Sequence, residues 1–193
     1  MTAPSFTFPS ADGLEIVAYR WEPRGEPRGI VQLTHGMGEH VQRYVPLAAA
    51  LTELGFVVVG QDHRGHGATA RSESEYGHLG TGGWGGLVDD VGLLGARARD
   101  DNPGLPLVLL GHSMGSFAAQ QYALDHSSEI TALALTGTAV LDLLESALKL
   151  DEPLDLAGEG QSVGGERSTV AGRVLRRRRG YRRGPDAPLA HRR

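Results

Sequence analysis

The stretch Leu107-Val-Leu-Leu-Gly-His-Ser-Met-Gly-Ser116 constrains this chain more than any other. Leu107 to Leu110 is a short apolar run of the kind that forms a buried parallel strand. Gly111-His-Ser-Met-Gly115 follows without a break, and a helical pattern starts behind it. G-x-S-x-G between a strand and a helix makes a turn so tight that the serine backbone is strained. Its hydroxyl is then pushed out at the carboxyl end of the sheet. Glycine flanks the turn because a side chain at 111 or 115 would collide with the neighbouring strand or helix. Ser113 is therefore a candidate nucleophile. The competing reading is a Gly-Ser turn in which Ser113 only caps the helix; the strand before it and the helix after it favour the nucleophile.

The rest of the chain supplies a frame for that turn. Phe6 and Phe8 alternate with polar neighbours, Ala11-Asp-Gly13 turns, and Leu14 to Trp21 alternates again, which predicts an antiparallel edge hairpin. Gly29 to Thr34 is a third strand running into His35-Gly-Met-Gly-Glu-His40. Arg43 to Leu54 has helical spacing and stops at Gly55. Phe56 to Val59 reads as a buried central strand, followed by Gly60-Gln-Asp-His-Arg-Gly-His-Gly67 at its carboxyl end, where α/β sheets keep their sites. Asp62, His63 and His66 are ligand-type side chains, but catalytic zinc draws its ligands at helical spacing or from several elements. A hydrogen-bonded scaffold is the expectation for that loop. Ala68 to Gly86 reads as a long surface segment. Leu87 to Arg99 is a helix with Asp89, Asp90, Arg97 and Arg99 on its outer side, and Ile130 to Thr136 is a further strand. Val140 to Leu150 is an apolar helical piece, either a lid or an ordinary helix on the sheet. Strand–helix alternation behind an edge hairpin predicts an α/β fold with a mostly parallel sheet and helices on both faces.

Composition narrows the classes. With 193 residues, 40% hydrophobic and 22% charged, the chain can bury one domain core. No cysteine is present, which excludes a disulfide framework and a thiolate zinc site. Met1 to Tyr19 lacks the basic start and apolar core of a leader peptide, and no apolar run approaches the ~20 residues of a membrane span. A cytoplasmic location is expected.

Three motifs stand in order: His35-Gly-Met-Gly-Glu-His40, Asp62-His-Arg-Gly-His-Gly67 and Gly111-His-Ser-Met-Gly115. Together they closely resemble the monoacylglycerol lipase and lysophospholipase group of the α/β-hydrolase superfamily, the serine aminopeptidase S33 type, over about Phe6 to Leu150. The resemblance implies hydrolysis of a small lipid ester, a monoacylglycerol or lysophospholipid, through an acyl-serine intermediate. It implies no cofactor, no metal and no nucleic-acid partner, and a mobile cap over an acyl pocket that could contact a membrane surface peripherally. Carried over by position, Ser113 is the nucleophile, and the backbone N–H groups of Met37 and Met114 form the oxyanion hole. Ser116 stands where many relatives have glycine, a change expected to be tolerated.

The carboxyl-terminal part departs from that pattern. The triad order in this architecture is Ser, then Asp or Glu, then His, and only eighty residues follow Ser113. His126 lies 13 positions down the same helix, about 20 Å away at 1.5 Å per residue. His191 sits in an Arg-rich segment, and Asp142, Asp151 and Asp155 fall in or near the expected cap. Residues 1–165 carry 21 acidic and 9 basic side chains, whereas residues 166–193 carry ten arginines and two acids. The expected organisation is thus the N-terminal part of a hydrolase core in residues 1–137, the start of a cap in 138–165, and a tail foreign to the fold in 166–193. A shifted reading frame, leaving the last strands, acid and histidine out, is one reading of that tail. A genuine basic arm for nucleic acid or anionic lipid is the other.

Overall fold

The computed structural model describes residues 3–139 and the backbone of the strand Leu175–Arg176. β1 (Ser5–Pro9) and β2 (Glu15–Trp21) form the antiparallel hairpin. β3 (Gly29–Thr34), β4 (Phe56–Gln61), β5 (Leu107–His112) and β6 (Ala132–Thr136) are mutually parallel, in the order β4-β3-β5-β6. β2 joins the outer side of β4 antiparallel. β7 (Leu175–Arg176) pairs antiparallel with Leu133 and Ala132 of β6. The Arg-rich tail shows no strand pattern in its sequence. These two residues pair because the outer edge of β6 presents a row of unsatisfied backbone groups that any extended segment can meet.

Side chains alternate across the strands, so the sheet has two apolar faces. Ile30, Val57, Val59, Leu107 and Leu109 point to one face, where α2 (Gly83–Asp100) and α3 (Met114–His126) cover them with Leu87, Val91, Leu94, Ala118 and Tyr122. Val31, Leu33 and Val58 point to the other, against Val41 and Ala48 of a short 3-10 turn (Val41–Tyr44) and α1 (Val45–Glu53). β3 is buried at every residue, as a central strand covered on both sides must be. This is the α/β-hydrolase arrangement, a mixed sheet with helices on both faces.

Two local readings are corrected. α2 begins at Gly83, four residues before Leu87, because Gly82 and Gly86 are packing surface rather than loop: a Cβ at either would stand 2.5 or 2.7 Å from the Arg64 guanidinium. Asp90 lies inside, fully buried and paired with Arg64. Neither contact has a local signal, since the partners are 26 or fewer residues apart in sequence but on different elements. The expected cap, with Asp142, Asp151, Asp155 and also His191, lies outside the described residues.

Candidate active site

The carboxyl ends of β3, β4 and β5 bring the three sequence motifs to one edge of the sheet. At the end of β5, Ser113 adopts φ +49°, ψ −121°, and it is the one non-glycine with positive φ among the described residues. Such a conformation costs on the order of 1–3 kcal/mol and persists only where the surroundings impose it. The surroundings are visible. A Cβ at Gly111 would lie 2.6 Å from the Gly115 carbonyl oxygen, and one at Gly115 would lie 2.3 Å from that of Thr34. The Thr34 hydroxyl donates to the Leu110 and Gly115 carbonyls at 3.1 Å, tying β3 to the turn. Ser116 fits this setting: buried, it donates its hydroxyl to the Ser113 carbonyl at 2.6 Å.

An ordinary N-cap serine has extended backbone and spends its oxygen on the helix. Ser113 has neither feature: its side chain makes no capping bond, and it is half-buried beneath the open end of the sheet. α3 runs away from it for 13 residues, so the partial positive charge of the helix N-terminus faces the hydroxyl. His112 is turned aside, its Nδ1 2.8 Å from the Thr136 hydroxyl of β6.

The segment after β3 lies alongside. A Cβ on Gly36 would stand 3.2 Å from the Ser113 Cβ. Gly36 to Glu39 make a turn, with Glu39 N–H donating to the Gly36 carbonyl at 3.4 Å and Gly38 at φ +68°. A positive φ at the third turn position is what glycine allows. Met37 is 55% exposed. Among the described residues, neither Met37 N–H nor Met114 N–H donates a hydrogen bond. The Glu39 carboxylate accepts from Gly36 N–H at 3.1 Å and from the Tyr44 hydroxyl at 2.7 Å, with Arg43 at 3.1 Å. Its partial burial opposes ionisation, but Tyr44, the Gly36 amide and the Arg43 charge outweigh that and hold it below the usual carboxylate range. Burial and the neighbouring Glu39 push the Tyr44 hydroxyl up.

The loop after β4 is closed by comparison. Asp62 accepts from the N–H groups of Val41 and Ala68, each at 2.8 Å, and its oxygen fills the space where a Gly67 Cβ would be. Arg64, fully buried, donates to Asp90 at 2.6 Å, to Asp12 at 2.7 and 3.0 Å, and to the Ser10 hydroxyl. Burial pushes the Asp90 carboxyl up while Arg64 pulls it back. His35, His63 and His66 cluster beneath, with ring centroids 4.2 and 5.5 Å from His35. Burial brings His35 down to about 4, and His63 well below its ordinary value with help from its two histidine neighbours. Among the described residues no group of His, Cys, Asp or Glu is arranged to hold a metal ion, and no helix is long and apolar enough to cross a membrane. Asp62, with its carboxylate committed to backbone donors, is a scaffold residue.

Sequence reasoning missed Glu39, Tyr44, Arg64 and the role of His35. The acidic residue three positions after a Gly in a Gly-rich turn was a usable signal for Glu39. His126 stacks on Tyr122 at 4.6 Å and pairs with Glu129 at 2.9 Å, at the opposite end of α3 from Ser113.

Residues 25–154 match the family described as serine aminopeptidase, S33. The monoacylglycerol lipase of Mycolicibacterium smegmatis is 37% identical over 72% of this chain and 48% of its own length. The human monoglyceride lipase is 36% identical over 72% and 44%. A thermostable carboxyl esterase from Bacillus coagulans, solved in complex with glycerol, superposes with a TM-score of 0.67 at 38% identity, over 72% of this chain and 45% of its own. The chain spans less than half the length of each. With the family match covering well over half of its residues, the chain belongs to the serine aminopeptidase S33 family of α/β-hydrolases, on its monoglyceride-lipase-like side.

Proposed function

We propose that this chain carries the nucleophile half of a serine ester hydrolase for monoacyl lipids. Ser113 Oγ attacks the ester carbonyl, and the N–H groups of Met37 and Met114 hold the resulting oxyanion. The alcohol leaves, and water releases the fatty acid from the acyl-serine. The observation that carries this reading is the strained Ser113, its hydroxyl uncommitted and Gly36 packed against its Cβ. The names of the lipases among its relatives support a monoacylglycerol as the substrate, and a lysophospholipid is the other substrate of this reading. Peripheral membrane contact and a cytoplasmic setting belong to the same reading.

The triad is the unfinished part. After Ser113, the described residues offer Asp125, His126 and Glu129, all beyond reach at the far end of α3. We infer that the acid and the histidine belong to the half of the relatives that this chain does not match. Residues 138–165 then begin the cap. Residues 166–193 lie beyond the family match, which ends at residue 154, and Leu175–Arg176 is the part of them described as pairing with the sheet. Losing the histidine of a serine triad costs about 10⁶-fold in turnover in a well-studied protease, so p-nitrophenyl butyrate hydrolysis should be near background. Turnover within tenfold of a full-length relative, abolished by Ser113→Ala, would show the triad to be complete. Retranslating the coding DNA past codon 165 tests the tail: a frame encoding a strand that ends in Asp, and a later His loop, supports it.

A non-catalytic remnant with a basic tail is the second reading, favoured by the lack, among the described residues that follow Ser113, of an acid and a histidine within its reach. Slow Ser113-specific labelling by a fluorophosphonate, absent in Ser113→Ala, argues against it.

A further inference from the structure

We propose that His35 is a positioning residue for this chemistry: neutral and protonated on Nδ1, it holds the Gly36 carbonyl and so aims the Met37 N–H at the space beside Ser113. The proposal rests on the oxyanion-hole reading above.

Two contacts fix the tautomer without reference to any hydrogen position. His35 Nδ1 lies 2.8 Å from the Gly36 carbonyl oxygen, which can only accept, so Nδ1 carries the proton. His35 Nε2 lies 2.9 Å from the His63 backbone nitrogen, whose N–H can only donate, so Nε2 is bare. Both bonds are needed for the ring to sit as it does, and the protonated imidazolium could satisfy only one of them.

The consequence passes through a single peptide plane. The Gly36 carbonyl and the Met37 N–H belong to the same trans peptide and point in opposite directions. Drawing the carbonyl inward, onto a fully buried imidazole, turns the N–H outward. Gly36 itself is packed on the Ser113 Cβ, so the N–H emerges next to the nucleophile. Glu39 reinforces the orientation from the other side, taking the Gly36 N–H and giving its own N–H to the same carbonyl. The donor that fixes Nε2 comes from the loop after β4. The Asp62 scaffold thereby reaches the site through one imidazole ring.

The test uses the full 193-residue chain, 15N-labelled, titrated with ethyl hexylphosphonate, a monoanion that mimics the charged tetrahedral oxygen. In the wild type the Met37 and Met114 amide resonances should move together. His35→Asn places an amide donor where Nδ1 stood and should keep both responses. His35→Gln carries its amide out to the Nε2 position and leaves no donor where Nδ1 stood, and His35→Phe keeps only the ring volume; both should lose the Met37 response and retain that of Met114. Met114 is the internal control, since general loosening of the core would affect both amides. An unchanged Met37 response in His35→Gln and His35→Phe overturns the proposal, as does its equal loss in all three variants. If His35→Phe does not fold, the Asn and Gln variants carry the comparison. Should neither amide respond in the wild type, the oxyanion-hole reading falls on its own. The free-protein Met37 resonance then decides: displaced in the Gln variant but not in the Asn variant, it upholds the role of His35; the same in both, it overturns it.

Discussion

The loop after β4 and the turn after β5 look alike as text, Gly and His around one short polar residue, and the structure uses them in opposite ways. After β4, Asp62 and Arg64 commit their polar atoms to backbone and carboxylate partners, and both side chains are buried. After β5, Ser113 commits its hydroxyl to nothing within its own helix and holds a backbone conformation that no other non-glycine adopts among the described residues. A polar group whose bonds are all made inside the protein stabilises; one left unspent, on a strained backbone, is available for chemistry. Removing a group from the first loop should therefore cost stability, and relaxing the second should gain it.

The largest effect is expected at Arg64. Arg64→Met leaves the Asp90 carboxylate buried without its counter-charge, a loss of about 3–5 kcal/mol, read as a lower midpoint in urea. Asp90→Leu added to it should recover most of that, because an apolar pair of similar volume is often neutral where half an ion pair is not. If the double variant is as unstable as the single one, the pair is not what holds α2 against the hairpin turn at Asp12.

Acid is the next lever. In the unfolded chain the His35 imidazole takes up its proton near 6.5, and in the folded protein only near about 4. Between those values the unfolded state binds more protons, so stability falls as pH falls through this window. For His35 this amounts to about 3 kcal/mol lost between neutrality and pH 4. His63, depressed in the same direction, adds to the loss. Urea midpoints at pH 7, 5.5 and 4 measure it, and a flat profile would mean that these rings are solvated.

The frame was legible in the sequence, and its clamps were not. The edge hairpin, β3 and the strand–turn–helix at Ser113 follow from alternation, β-branched runs and glycine placement, all of which act within a few residues. β3 runs from Gly29 to Thr34 as its apolar pattern predicts. Arg64 reaches Asp12 and Asp90 across 52 and 26 residues, so no window of sequence could pair them. The same holds for the start of α2: the glycines around Trp84 read as a loop because the guanidinium they pack against is 18 residues or more away. His35 fell between these cases. Its place before a Gly-rich turn was visible, but its tautomer depends on the His63 N–H, a partner that only the folded sheet supplies.

The smallest effect is also the one that separates the two loops most sharply, because its sign reverses. Ser113→Gly should raise stability by about 1 kcal/mol, since a residue at φ +49° without a Cβ is relieved of 1–3 kcal/mol of strain and loses part of that gain to unfolded-chain entropy. Ser113→Ala removes the hydroxyl but keeps the Cβ, and should leave the urea midpoint nearly unchanged. A serine that served only as a helix cap would behave otherwise: alanine would then cost about 0.5–2 kcal/mol, and glycine a few tenths. The two substitutions together therefore distinguish stored backbone strain from capping without any measurement of activity. A midpoint that drops for alanine and does not rise for glycine would return Ser113 to the ordinary start of a helix.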